Sequence, residues 1–178
     1  MPPVTEDEIP FDIPETWAWV RLGNIMQLIS GQDMTPDKYN TDKDGVPYLT
    51  GASNIEDESI LINRWTLEPK SITVRGDLLI TCKGTVGTMA FMDCEKAHIA
   101  RQIMAIRTSN LLNKKYIKIF LETYVITLKA VAKSMIPGIS RYDILNALCP
   151  IPPFVEQHCI VAKCEKLLPL SNHMIIKV

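Results

Sequence analysis

The run Cys149-Pro150-Ile151-Pro152-Pro153, followed at once by Phe154-Val155-Glu156-Gln157, forces a change of element within a few residues. Pro150 and Pro152 hold the chain extended and donate no backbone hydrogen bond, so the segment suits the edge of a sheet. Pro153 suits the first turn of a helix, where its missing N–H costs nothing. Glu156 falls in that first turn, on the favourable side of the helix dipole. Beyond it Phe154, Val161, Cys164, Leu168 and Ser171 recur at spacings of seven, three, four and three, with Ile160 and Leu167 beside them. This is the narrow apolar seam of a helix that pairs with another helix, and an ordinary surface helix is the plainer alternative. Pro169 interrupts the seam. An interior proline costs about 3 kcal/mol or kinks the rod, so the sequence predicts a helix that is only begun.

A chain of 178 residues suits one domain with its own core. Its 47% apolar and 22% charged composition is globular and argues against global disorder. The longest apolar runs fall far below membrane-spanning length and the acidic N-terminus is unlike a signal peptide, so a cytoplasmic protein is expected. The five cysteines, Cys82, Cys94, Cys149, Cys159 and Cys164, form no C-x-x-C pair. Their odd number favours reduced thiols over a disulfide framework, and no metal site is expected. His158, Cys159 and Cys164 lie close in sequence, but the place of Cys164 on the seam favours packing.

Net charge is −1 and says little by itself; its distribution says more. Residues 1–60 hold three Lys/Arg against twelve Asp/Glu, residues 61–141 hold thirteen against five, and residues 142–178 balance at three each. A basic middle can give one face a positive field despite the neutral total, although a solvated surface would have the same composition.

Along the chain, residues 1–13 read as an extended acidic lead-in, and Trp17, Trp19 and Val20 mark a short strand with the tryptophans as core anchors. Residues 30–40 and 42–45 are polar turns. Val46–Gly51 and Ser59–Ile62 read as strands joined by Gly51-Ala52-Ser53-Asn54-Ile55, whose small side chains can hydrogen-bond. Two β-rich runs, Arg75–Cys82 and Thr85–Phe91, flank Lys83-Gly84 and predict a tight hairpin. The stretch Lys83–Thr88 lacks the Gly-Lys-Ser/Thr ending of a nucleotide-binding loop. Its glycines would still admit backbone N–H groups to a DNA phosphate, with Lys83 as a point charge. His98–Arg107 reads as a strand headed by Arg101 and Gln102, the side chains best suited to guanine and adenine edges, or else plain surface residues. Residues 112–133 have helical spacing, with Tyr116, Ile119, Phe120, Tyr124, Leu128 and Val131 inward. Residues 133–145 form a loop opening a short helix, with Ser140 as N-cap and Asp143 at the third position. Its amides could grip phosphate, flanked by Lys133, Ser134 and Arg141.

Several blocks carry a family resemblance. Pro150-x-Pro152-Pro153-x-x-Glu156-Gln157-x-x-Ile160-Val161, followed by Lys163-x-Glu165-x-Leu167-Leu168, resembles the start of the conserved helix in specificity subunits of type I restriction–modification systems. Ile13-Pro14-x-x-Trp17-x-Trp19-Val20-x-Leu22-Gly23-x-Ile25 looks like the opening of a target recognition domain of that family. The Asn54-Ile55 block, Gly76-Asp77-Leu78-Leu79-Ile80 with Gly84 and Gly87, and the Ser134 to Leu145 loop follow in family order.

The resemblance implies an α+β fold: a β-rich target recognition domain with small helices over residues 1–152, then residues 153–178 as the start of a coiled-coil spacer helix. It implies recognition of one half of a bipartite double-stranded DNA target, directing methyltransferase and restriction subunits, without catalysis by this chain. S-adenosylmethionine and ATP/Mg would belong to those subunits, and this chain would carry no cofactor. The expected DNA-binding set is Ser53, Asn54, Lys83, Gly84, Thr85, Arg101, Gln102, Lys133, Ser134, Ser140 and Arg141. The expected partner-helix set is Phe154, Ile160, Val161, Cys164, Leu167 and Leu168. Specificity subunits of this family normally carry two such domains and two long helices, and this chain carries one. The resemblance therefore implies a fragment, a truncated product, or a half-subunit that would dimerise to restore the pair. The alternatives are the recognition domain of a single-chain methyltransferase–nuclease, and a protein-interaction module that uses the C-terminal helix without DNA.

Overall fold

A computed structural model describes residues 2–131 and 138–175, with Val131 and residues 168–175 as backbone alone. The strands are β1 (Ala18–Arg21), β2 (Met26–Ser30), β3 (Val46–Leu49), β4 (Ile55–Glu56), β5 (Ser59–Ile60) and β6 (Trp65–Thr66). They continue with β7 (Ile72–Val74), β8 (Leu78–Thr81), β9 (Met89–Phe91), β10 (Lys96–Ile99) and β11 (Ile103–Thr108). Then come α1 (Lys114–Val131), α2 (Arg141–Asn146), β12 (Leu148–Ile151) and α3 (Phe154–Ile175).

The first sheet is antiparallel in the order β2-β11-β8-β9, and the second runs β6-β3-β10-β7 with β3 and β10 parallel. Helices cover one face of the first sheet: Leu78, Ile80, Met104 and Ile106 pack with Ile117, Leu121 and Val125 of α1, Ile144 of α2 and Val161 of α3. The opposite face carries Leu79, Ala90, Ile103 and Ala105 against Leu49, Ala97 and Ile99 of the second sheet. Side chains alternate between faces along a strand. Because both faces are covered, Leu78-Leu79-Ile80 is apolar without interruption. Each such Leu or Ile removed from water contributes about 1.5–3 kcal/mol.

The hairpin of β8 and β9 forms, but not with a two-residue turn. Thr85–Thr88 lies in the connection, where the Thr81 hydroxyl donates to the Thr85 carbonyl and accepts from the Thr88 N–H. Backbone pairing also continues there, the Thr81 N–H donating to the Thr88 carbonyl and the Thr81 carbonyl accepting from the Gly87 N–H, and the loop lies beyond it. His98–Arg107 is two strands rather than one: the Ile103 N–H donates to the Ala100 carbonyl, and this turn carries the chain from one sheet to the other. On α1 the deepest stripe is Ile117, Leu121 and Val125, while Ile119, Phe120, Tyr124 and Leu128 are half-buried. The sequence reading centred the face one residue too far round. Asn113 starts this helix, its side-chain oxygen accepting from the Lys115 N–H.

Trp17 and Trp19 are half-buried clasps rather than core anchors. Trp19 stands edge-on to Phe11 and donates to its carbonyl, and Trp17 donates to Glu156. The lead-in is also folded back, because Arg21 binds both oxygens of Glu8 at 2.6 and 2.7 Å. That guanidinium holds the Glu8 carboxyl down at about 2.

The proline segment does pair at an edge, as β12 antiparallel to β1. Tyr116 donates to the Pro150 carbonyl, which a proline still offers. Gln157 is buried, accepting from the Asn113 N–H and donating to the Pro152 carbonyl. The Glu-Gln pair that marks the helix start is therefore a staple between helix and domain. The α3 backbone is helical from Phe154 to Ile175, so the break expected at Pro169 is not made. Within this helix Val161 is buried in the chain's own core, which removes it from the partner-facing set, and Ile160 and Cys164 are half-buried. Phe154 and Leu167 are exposed, and the Leu168 side chain lies outside the described residues.

Candidate nucleic-acid interface

Five connections meet at one end of the first sheet. The Ile139 N–H donates to the Cys82 carbonyl, and the Cys82 N–H donates to the Gln102 carbonyl. The Arg101 N–H donates to Asp33, and the Gln102 carboxamide lies against Gly51. Arg141 donates to the Leu28 carbonyl at 3.2 Å and to the Ser30 hydroxyl at 2.7 Å. The loops after β2, β3, β8 and β10 and the start of α2 thus form one surface.

Ser53, Lys83, Gly84, Thr85, Arg101, Gln102, Ser140 and Arg141 are all exposed on these connections. Lys133 and Ser134 lie outside the described residues. Asn54 is the exception. It is fully buried, accepting from both the N–H and hydroxyl of Thr50 and from the Gly51 N–H, and donating to Leu61 and Asn63. Every hydrogen-bonding position of its amide is spent on shaping the loop, so Asn54 presents Ser53 and cannot touch DNA itself.

The surface is fixed from beneath. His98 is buried, its ring tilted 35° against that of Tyr48, and its Nδ1 accepts from the N–H groups of Lys70 and Ser71. Two donors at Nδ1 require the proton on Nε2, which donates to the Gln32 carbonyl at 2.8 Å. Burial lowers the His98 pKa, so the neutral ring pins the loop that carries Asp33. Burial also pushes the Cys82 thiol up, and its Sγ donates to the Arg101 carbonyl. Lys129 of α1 donates to the Val86 carbonyl in the β8–β9 connection, the same connection that carries Lys83.

Sequence reasoning passed over Asp33, Lys129, Gly31 and Gly51. Gly31 and Gly51 sit beside the polar residues of two turns, which was the available signal. Lys129 read only as an outward helix lysine.

The arrangement offers exposed cations for phosphate, an Arg-Gln pair for base edges, and a capped helix start where the Asp143 N–H donates to Ser140. A polar, cationic loop surface at one end of two packed sheets, with a long helix leaving the other end, describes a nucleic-acid recognition domain. The chain belongs to the family of type I restriction modification DNA specificity domains, whose model matches residues 14–176.

Over 190 residues it is 22% identical to the EcoAI type I restriction enzyme specificity subunit of Escherichia coli, covering 98% of this chain and 32% of that one. The HsdS subunit of Thermoanaerobacter tengcongensis superposes with a TM-score of 0.80 at 27% identity, covering 90% of this chain and 39% of the other. A chain solved in work on complex assembly and conformational transition of the type I R-M system gives a TM-score of 0.81 at 26% identity, covering 93% and 41%. The chain spans about a third of the length of the curated relatives it matches. No helix among the described residues is long and apolar enough to cross a membrane.

Proposed function

We propose that this chain reads one half of a bipartite double-stranded DNA target and so directs type I modification subunits, and through them restriction subunits, to that sequence. The carrying observation is the gathering of Lys83, Arg101, Gln102 and Arg141 from three separate connections onto one surface of a chain in the DNA specificity family. The share of its relatives that it spans fits one half-site. Chemistry on the DNA, with S-adenosylmethionine or ATP and Mg, is assigned to the partner subunits. The exposed residues Phe154, Val155 and Leu167 of α3 are offered to those partners or to a second copy.

The test is binding of the full chain to mixed duplex DNA across salt, followed by selection from randomised duplexes. If three to four cations contact phosphate, affinity falls by about 40- to 150-fold between roughly 50 and 200 mM salt. Salt-insensitive or absent binding, alone and with modification subunits present, would overturn the reading. Lys83→Ala and Arg141→Ala should weaken binding to all sequences alike, whereas Arg101→Ala and Gln102→Ala should change which sequence is selected.

A further inference from the structure

We propose that Asp33 is a positioning residue for base reading, whose carboxylate orients the Arg101 guanidinium so that its terminal nitrogens face outward as a fork for a guanine edge. This rests on the DNA-reading function proposed above. Asp33 Oδ1 accepts from the Arg101 main-chain N–H at 3.0 Å, and Oδ2 meets Arg101 Nε at 2.6 Å. One carboxylate therefore fixes both the backbone and the side chain of the same residue. A guanidinium carries five N–H donors, and with Nε held in an ion pair against the carboxylate, the four on the two terminal nitrogens are left for a ligand. Among the described residues neither terminal nitrogen of Arg101 is hydrogen-bonded.

An unrestrained arginine on a turn samples many rotamers and is drawn to any phosphate. Pairing with Asp33 cancels much of that charge-driven attraction while keeping the planar fork that matches guanine O6 and N7. Both groups stand in the surface, with the Arg101 side chain 69% and the Asp33 side chain 43% exposed. The carboxylate is held from below as well. The Gln32 N–H donates to the Ile99 carbonyl and its own carbonyl accepts from His98. Gly31 approaches Ala100 so closely that no side chain fits between them. The loop thus has little freedom to carry Asp33 away from Arg101.

The experiment compares the full wild-type chain with Asp33→Asn, Arg101→Ala and the double variant, in selection from randomised duplexes and in salt titration on a mixed duplex. Asparagine keeps an acceptor for the Arg101 N–H and removes the charge. In Asp33→Asn the logarithmic salt slope should steepen by about one unit as Arg101 turns to phosphate. Guanine preference at one position should fall by roughly tenfold. In the Arg101→Ala background the same replacement should change neither readout. Asp33→Glu, which keeps the charge on a longer arm, should keep the shallow slope and still alter the preference. Unchanged preference and slope in a folded Asp33→Asn protein would overturn the inference, as would an effect that persists without Arg101. If Asp33→Asn does not fold, unchanged preference in Asp33→Glu overturns it instead. A wild-type chain without salt-sensitive DNA binding would remove the proposed function itself, and the inference with it.

Discussion

Replacing Gly31 by alanine tests the link between packing and the candidate interface most directly. A Cβ at this position would lie 1.9 Å from the Ala100 carbonyl oxygen, 2.4 Å from its carbonyl carbon and 2.7 Å from the Ile99 oxygen. Ordinary contact starts at 3.4 Å, so the loop must withdraw by about 1.5 Å. All three obstructing atoms are backbone, and no side chain can swing aside. Withdrawal disrupts the Gly31 N–H bond to Ile103 and the Gln32 N–H bond to Ile99. Those contribute about 1 kcal/mol each, and overpacking adds about 1–3 kcal/mol. The expected loss is therefore about 3–5 kcal/mol, a Tm decrease of roughly 10 °C for a chain of this size. Calorimetry with a check of two-state behaviour measures it. Gly84→Ala is the control, since Gly84 has φ +72° with nothing within 4 Å, and only the left-handed strain of about 1 kcal/mol applies. A Gly31→Ala protein that melts with the wild type would refute the reasoning.

Asn54→Ala should lower the urea midpoint by the equivalent of about 2–3 kcal/mol, as buried loop donors lose their acceptor. Binding by whatever remains folded should keep its sequence preference, whereas a changed preference would return Asn54 to the reading surface. Asp77→Ala should also destabilise, because Asp77 is buried and accepts from Thr73, the Val74 N–H and Arg107. Since the Arg107 side chain is 37% exposed, its loss should reach only about 2–3 kcal/mol in urea unfolding, below the range for a fully buried pair. Acid should act through His98. Its folded pKa is below the ordinary 6.5, so its contribution is complete above pH 6.5 and declines as pH falls below that value, where the unfolded chain takes up the proton first. A pH–stability profile of His98→Gln should lack that component, and an unchanged profile would contradict the assignment.

Much of the architecture was legible because local chemistry and global packing agree. The proline run with its helix start, the Ser140–Asp143 capping box and the Leu78–Thr81 strand each carry their own signal. The errors share a cause: a contact distant in sequence overrode the local pattern. Ala100–Gln102 turns because β10 and β11 belong to different sheets, although the stretch has strand composition throughout. Asn54 has the look of a polar recognition residue, and only Leu61 and Asn63 folding over it make it interior. Val161 sits on a seam that suggested an external helix, but the nearest helix to bury it is α1 of the same chain. At the candidate interface, residue type singled out Lys83, Arg101 and Arg141, which lie exposed on neighbouring connections. The partner of Arg101 was not legible, because Asp33 lies far away in sequence and reaches it only through the Gly31 approach.

The pairing of β1 with β12 has a consequence for how the molecule comes into being. These two short strands bracket nearly the whole domain, so their ladder encloses a very long loop, and such closure is entropically unfavourable until the intervening chain is compact. The sheets and α1 would then form first, and this ribbon late. α3 follows β12 directly: Gln157 ties it to Asn113 at the start of α1, and Glu156 adds a tie to Trp17 just ahead of β1, which forms only with the ribbon. A chain with the ribbon still open would therefore hold α3 by its contacts to α1 alone, and the last tie between the two ends of the domain would come with completion of the fold.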